Sequence, residues 1–230
     1  RTRNGAMVLA AALVRVVAAG SVHAANQAGL DQAIQKGLAH LASQQDPYYG
    51  LIGDWNYPLA STAAAVLAFE NEGHFPGGGN TYSTTVERGL DFIFRYLVYK
   101  RPISIQTYGY PGRNDNPDTN GNGLGIYFGY NSALYETGLV MQALVASNTP
   151  DRVVEAGQCA GMTYRAVLQD VVDFLAWAQI DGGYGRGGWR YGAYDNSSDW
   201  GDNSVAQWPV LGLVAAAQWG IHAPQFVKNE

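Results

Sequence analysis

Three times along this chain, a helix with its apolar residues on one face leads into a Gly- and Tyr-rich connector, followed by a second helix built almost wholly of small and apolar residues. A repeat of this kind restricts the fold more than any single motif, because each unit can bury its apolar face only against its neighbours. The apolar sets Ile34, Leu38, Leu41 and Ala42, then Val86, Leu90, Ile93 and Phe94, then Leu168, Val172, Leu175 and Ala176 share one spacing, i, i+4, i+7, i+8. That spacing predicts equivalent helices over 30–45, 84–99 and 164–180. The second helices are predicted over Pro58–Asn71, Asn131–Ser147 and Asn203–Trp219, and the last two align without a gap. Being apolar nearly all round, they must be surrounded by protein, whereas the first helices carry charges such as Lys36, Arg88, Asp91, Asp170 and Asp173. Apolar helices inside and amphipathic helices outside make an all-α fold, an α/α toroid, partial or small, spanning 25–230.

Composition narrows the function. Lys and Arg total 14 against 19 Asp and Glu, so the formal charge is -5 and no basic field exists to neutralise a phosphate backbone; nucleic acid is not an expected partner. The single cysteine, Cys159, can build neither a disulfide framework nor a multi-thiolate zinc site. Residues 1–24 read as a signal peptide: Arg1 and Arg3, an apolar run from Ala6 to Ala19, then Val22-His23-Ala24 with small residues where a signal peptidase inspects. The apolar run is shorter than the roughly 20 residues that cross a bilayer. The expected location is therefore secreted or periplasmic.

Lys36-Gly37, His40-Leu41, Gln45 and Gly53-Asp54-Trp55 resemble the QW repeat of squalene-hopene cyclases. A second copy reads Arg88-Gly89, Phe92-Ile93 with Leu97 in place of the Gln, and a third reads Phe174-Leu175, Gln179 and Gly182-Gly183-Tyr184. The resemblance to the prenyltransferase and squalene-cyclase α/α-toroid superfamily covers about residues 28–220, and what it implies is the toroid. In physical terms, a Gln near a helix end can donate to carbonyls there, and the aromatic ring after the turn can lie against the helix. Gln45, Trp55, Gln179 and Tyr184 are thus expected to act as a clamp.

The superfamily's catalytic groups have no counterparts. Its cyclases use an Asp-x-Asp-Asp acid, its protein prenyltransferases a zinc held by Asp, Cys and His, and the related thioester domains a Cys-Gly-Glu-Gln element; none of these is present. Toroids of this type usually close with more hairpins than the three legible here, with Pro224–Glu230 opening a fourth. A partial ring leaves apolar inner helices uncovered, which a homo-oligomer, additional helices or a longer chain would protect.

The connectors 46–57, 100–130 and 181–202 all join an outer helix to an inner one, so they should crowd one end. They hold two thirds of the tyrosines and half of the tryptophans. Loops on a rigid scaffold carry function, and clustered rings suit sugar faces or an apolar ligand. Trp55, Tyr57, Tyr130, Arg186, Trp189, Arg190 and Trp200 are the candidate ligand-binding residues, the two arginines for an anionic head group. Glu136, one turn into an apolar helix, is the candidate proton donor, with Asp199 and Asp202 as companion acids. Asp118, Asn120 and Asn122 match the first half of a calcium loop, although Gly129 stands where its closing acid belongs. Calcium is therefore the candidate metal. Three functions follow: a protein binding a hydrophobic or isoprenoid-like ligand, a glycan-active lyase or hydrolase, and an assembly subunit.

Overall fold

The computed structural model describes residues 26–105 and 115–229; the signal-peptide reading over 1–24 lies outside the described residues. The fold is helix-rich, with seven α-helices and one two-stranded sheet among the described residues. The helices are α1 (Gln27–Ser43), α2 (Pro58–Asn71), α3 (Ser83–Arg95), α4 (Ala133–Ala146), α5 (Tyr164–Ala178), α6 (Asn203–Ala216) and α7 (Gln225–Asn229). Most of α1 belongs to a first unit ending at His40, and everything described below lies in the second unit, Leu41–Glu230.

Local chemistry sets the helix boundaries. Pro58 opens α2 at a position where its missing N–H costs nothing. Thr163 accepts from Ala166 N–H at the start of α5, and Asp202 accepts from Ser204 N–H at the start of α6. Asn148, in the left-handed region at φ 53°, follows the end of α4.

The second helices of the three hairpins lie side by side, α4 between α2 and α6, while α3 packs on α2, and α5 touches both α4 and α6. The α4–α6 contact is unusually close. A methyl group on Gly138 would sit 2.3 Å from the Trp208 carbonyl carbon and oxygen, and one on Gly212 would meet Met141 Sδ at 2.6 Å. Backbone therefore packs against backbone at this crossing, where Pro209 also sits within α6.

Two expectations change. The helix predicted over 84–99 stops at Arg95, and Val98–Pro102 forms strand β1, paired antiparallel with β2 (Leu124–Phe128), Val98 opposite Phe128 and Pro102 opposite Leu124. Asp170 and Asp173, expected on the solvent face of α5, are buried. The segment before β2 covers them: Asn120 and Asn122 donate side-chain N–H to Asp170 Oδ1 at 2.7 and 2.8 Å, and Thr119 donates both its N–H and its hydroxyl to Asp173.

The two glutamines act as clamps, though not on the carbonyls of their own helix ends as expected, and Tyr184 is exposed and stacks on Trp200 instead of lying against a helix. Gln45 Nε2 donates to Gly50 O in its connector and to Thr85 O, third residue of α3. Gln179 Nε2 donates to Gly187 O in its connector and to Val227 O, third residue of α7. By this equivalence α7 stands to the third hairpin as α3 stands to the first. The second hairpin has Leu97 instead of Gln, and there the β1–β2 pair ties the connector down, with Gly129 N–H donating to Leu97 O. A second clamp was not anticipated. Thr62 Oγ1 on α2 accepts from Ile52 N–H and donates to Ile52 O, and Thr137 Oγ1 on α4 does the same for Phe128.

Candidate functional site

Residues from each connector, Trp55 to Tyr57, Tyr130 and Tyr191, reach the N-terminal ends of α2 and α4. Two cavities lie there and share Tyr57 and Ser132 in their walls. The first, about 400 Å³, is lined by Trp55, Asn56 and Tyr57 from the first connector, Tyr96 and Leu97 after α3, and Tyr130, Asn131, Ser132 and Glu136. The second, about 520 Å³, lies among α2, α4 and α6, with Ala60 and Ala64 of α2, Tyr135 and Leu139 of α4, Trp208 of α6, and Tyr191 from the third connector. The first is ringed by aromatic and amide groups around one acid; the second is largely apolar.

Glu136 is the chemical centre of the first cavity. It is only 4% exposed, and no side chain among the described residues hydrogen-bonds its carboxylate. Burial pushes its pKa from 4.5 up to about 7. The backbone makes room for it, since a Cβ on Gly129 would lie 1.7 Å from Glu136 Oε2, and Gly129 also has φ 89°. In the first hairpin the matching glycine, Gly53, packs in the same way on Ser61, with Cβ-to-Oγ at 2.5 Å. Glu136 thus replaces a small hydroxyl at an internally repeated position, so the fold itself has no need of an acid there.

Trp55 is held by its neighbours. Tyr49, Phe92 and Tyr96 meet its ring at centroid distances of 5.5, 6.0 and 5.6 Å, each steeply inclined to it. Tyr57 and Tyr130 are exposed at the rim. The expected residues Trp55, Tyr57, Tyr130 and Glu136 are thereby brought to one cavity, together with Tyr96, Asn56 and Asn131, which the sequence did not single out. Tyr96 fell within a predicted helix, and the two asparagines read as ordinary turn residues.

The remaining candidates sit elsewhere. Trp189, expected to meet ligand, is buried and its indole N–H donates to Leu175 O at 3.0 Å, so it pins the third connector to α5. Asp202 caps α6; hydrogen bonds from Ser204 hold its carboxyl below the usual range, the wrong direction for a proton donor. Asp199 is exposed in the third connector, its side chain close to Gly183. Neither Asp199 nor Asp202 lines the cavity of Glu136. Arg190 is exposed and donates to Ser198 Oγ at 3.1 Å, Arg186 is half-buried, and Trp200 stacks on Tyr184 with centroids 5.4 Å apart.

The calcium-loop residues use their oxygens as turn formers. Asp118 Oδ1 and Oδ2 accept from Gly121 and Gly123 N–H, Asn120 Oδ1 from Asn122 N–H, and Asn122 Oδ1 from Leu124 N–H. The amide nitrogens turn toward Asp170, so the loop is closed by hydrogen bonds. Among the described residues no group of three His, Cys, Asp or Glu side chains is gathered for a metal. Cys159 is buried, and burial raises its thiol pKa to about 11, far from a reactive thiolate.

Comparison of the chain with protein-family profiles, with curated proteins and with solved structures gives no match in any of the three.

Proposed function

We propose that this chain is an α/α-toroid-type repeat protein that binds a hydrophobic, isoprenoid-like ligand carrying a polar head, the tail lying among the inner helices and the head in the cavity of Glu136. The observation that carries this reading is the pair of adjoining cavities, an apolar one of about 520 Å³ and an aromatic-rimmed one of about 400 Å³, with Tyr57 and Ser132 common to both. Their sizes suit a small organic ligand. The repeated glutamine and threonine clamps support the toroid-type repeat, as does the side-by-side packing of α2, α4 and α6. The glycan-hydrolase reading has less support, because it needs two carboxylates flanking the bond and only Glu136 lines the aromatic cavity.

The test is organic extraction of the purified protein with mass spectrometry, joined to calorimetric titration with farnesol. Saturable binding that is lost in Ala60→Phe, which fills the apolar cavity, supports the proposal. Farnesol binding of equal strength in Ala60→Phe, or no binding with no extracted lipid, overturns it.

A further inference from the structure

Glu136 raises a question that a purely apolar ligand leaves open, namely what an almost fully buried carboxyl without a side-chain partner faces. Its cavity is walled by four aromatic residues, Trp55, Tyr57, Tyr96 and Tyr130, and among the described residues Glu136 is the only charged side chain in the lining. Aromatic faces attract cations through their quadrupole, best when water is excluded, and a carboxylate among them adds the full charge. Among the described residues no Lys or Arg lines the cavity to satisfy that carboxylate.

An anionic head group is disfavoured by the same arrangement. It would bring like charge against Glu136, and the arginines expected to receive it, Arg186 and Arg190, do not line the cavity. A neutral hydroxyl would donate a hydrogen bond to the carboxylate but bring no counter-charge. The first-turn position in α4 adds a favourable helix dipole for the ionised form, yet burial wins and the carboxyl is pushed up to about 7. A bound cation would supply the missing counter-charge.

We infer that the head group recognised in the Glu136 cavity is an organic cation, a quaternary or primary ammonium seated among Trp55, Tyr57, Tyr96 and Tyr130 with Glu136 as its counter-ion. This rests on the proposed ligand-binding reading and specifies the head-group class. The ligand is then a cationic amphiphile, its tail in the apolar cavity.

Binding should be linked to deprotonation of Glu136. Of the elements packed on α4, α6 carries no titratable side chain, α2 only Glu70 in its last turn, β2 only Tyr127, and α5 Tyr164, Arg165, Asp170 and Asp173. The cavity itself adds the phenols of Tyr57, Tyr96 and Tyr130. The raised pKa of Glu136 traces to burial alone, with none of these groups contributing.

The test titrates the full chain with three probes, dodecyltrimethylammonium below its micelle concentration, dodecanol, and tetramethylammonium, at pH 5.5 and 8. The cationic amphiphile is expected to bind at least tenfold more tightly than dodecanol at pH 8, with the advantage shrinking about tenfold at pH 5.5. Glu136→Gln should abolish that advantage and its pH dependence, and Tyr130→Ala should reduce it with the carboxylate intact. Equal binding of dodecanol and the cationic amphiphile at pH 8, or an advantage that persists in Glu136→Gln, overturns the cationic head and leaves the apolar-ligand reading standing. Failure of both amphiphiles overturns that reading as well. Tetramethylammonium binding in the absence of any amphiphile binding would keep the cation site and remove the tail.

Discussion

Glu136 combines two costs that a structural residue at its position would avoid. It is a buried acid on a helix where the equivalent residue of the first hairpin is Ser61, and it demands a glycine at 129 to leave it space. The carboxyl titrates at about 7 in the folded protein against 4.5 ordinarily, so the fold holds this proton more tightly than the unfolded chain does. The associated stability is complete below about pH 4.5 and is lost as pH rises through about 7. Glu136→Gln is therefore expected to be near neutral at pH 5 and to stabilise the protein by roughly 2–3 kcal/mol at pH 8.5, allowing for partial solvent screening. Paired chemical denaturations at the two pH values measure this, and equal stability of wild type and variant at pH 8.5 would remove burial as the cause. Thr137 is a different case, since its hydroxyl joins both backbone groups of Phe128 in a buried place. Thr137→Val keeps the shape and strands a buried N–H and C=O, so a loss of about 1–3 kcal/mol is expected, and a loss below 0.5 kcal/mol would show that the backbone finds other partners.

At the level of elements, the closest packing in the fold is the crossing of α4 and α6 at Gly138. Even one added methyl would stand 2.3 Å from backbone atoms that cannot rotate away. Gly138→Ala should destabilise by about 1–3 kcal/mol despite the better helix propensity of alanine, and unchanged or increased stability in thermal unfolding would contradict the crossing. The helices themselves were readable because their 3.6-residue periodicity is imposed by burial on one side. The apolar stripe runs past the end of α3 through Tyr96 to Val98 and nothing local signals the turn; the partner of β1 lies beyond a long connector, and strand pairing at that range leaves no mark on Val98–Pro102. Asp170 and Asp173 read as the polar face of an amphipathic helix, and a helical pattern does not report that a distant loop will cover that face. The site followed the same division. Glu136 stood out as an acid in an apolar helix, and Trp55, Tyr57 and Tyr130 as rings in the connectors, whereas Trp189 and Asp202 carry equally suggestive side chains that the fold uses for pinning and capping.

At the scale of the molecule, buried acids recur on α2, α4 and α5. Glu70 near the end of α2 has both carboxylate oxygens buried without partners and its pKa is pushed up to about 9; burial takes Asp173 to about 6 and also raises Asp170, with Glu136 between them at about 7. In each case the folded value lies above the ordinary one, so each contributes stability at low pH that disappears as the pH passes its folded pKa. The losses are successive, Asp173 first, then Glu136, then Glu70, and the window runs from about pH 5 to 9. Asp202 works the other way, but it is exposed and its effect is screened by solvent. A net charge of -5 adds self-repulsion on the alkaline side. The expected outcome is a protein most stable in mildly acid solution, with a thermal midpoint on the order of 5–10 °C lower at pH 9 than at pH 5.5. Scanning calorimetry across that range checks it. A midpoint that stays level or climbs toward pH 9 would mean that these carboxyls reach water or counter-charges in the native state, which would also deprive Glu136 of its reason to accept a cation.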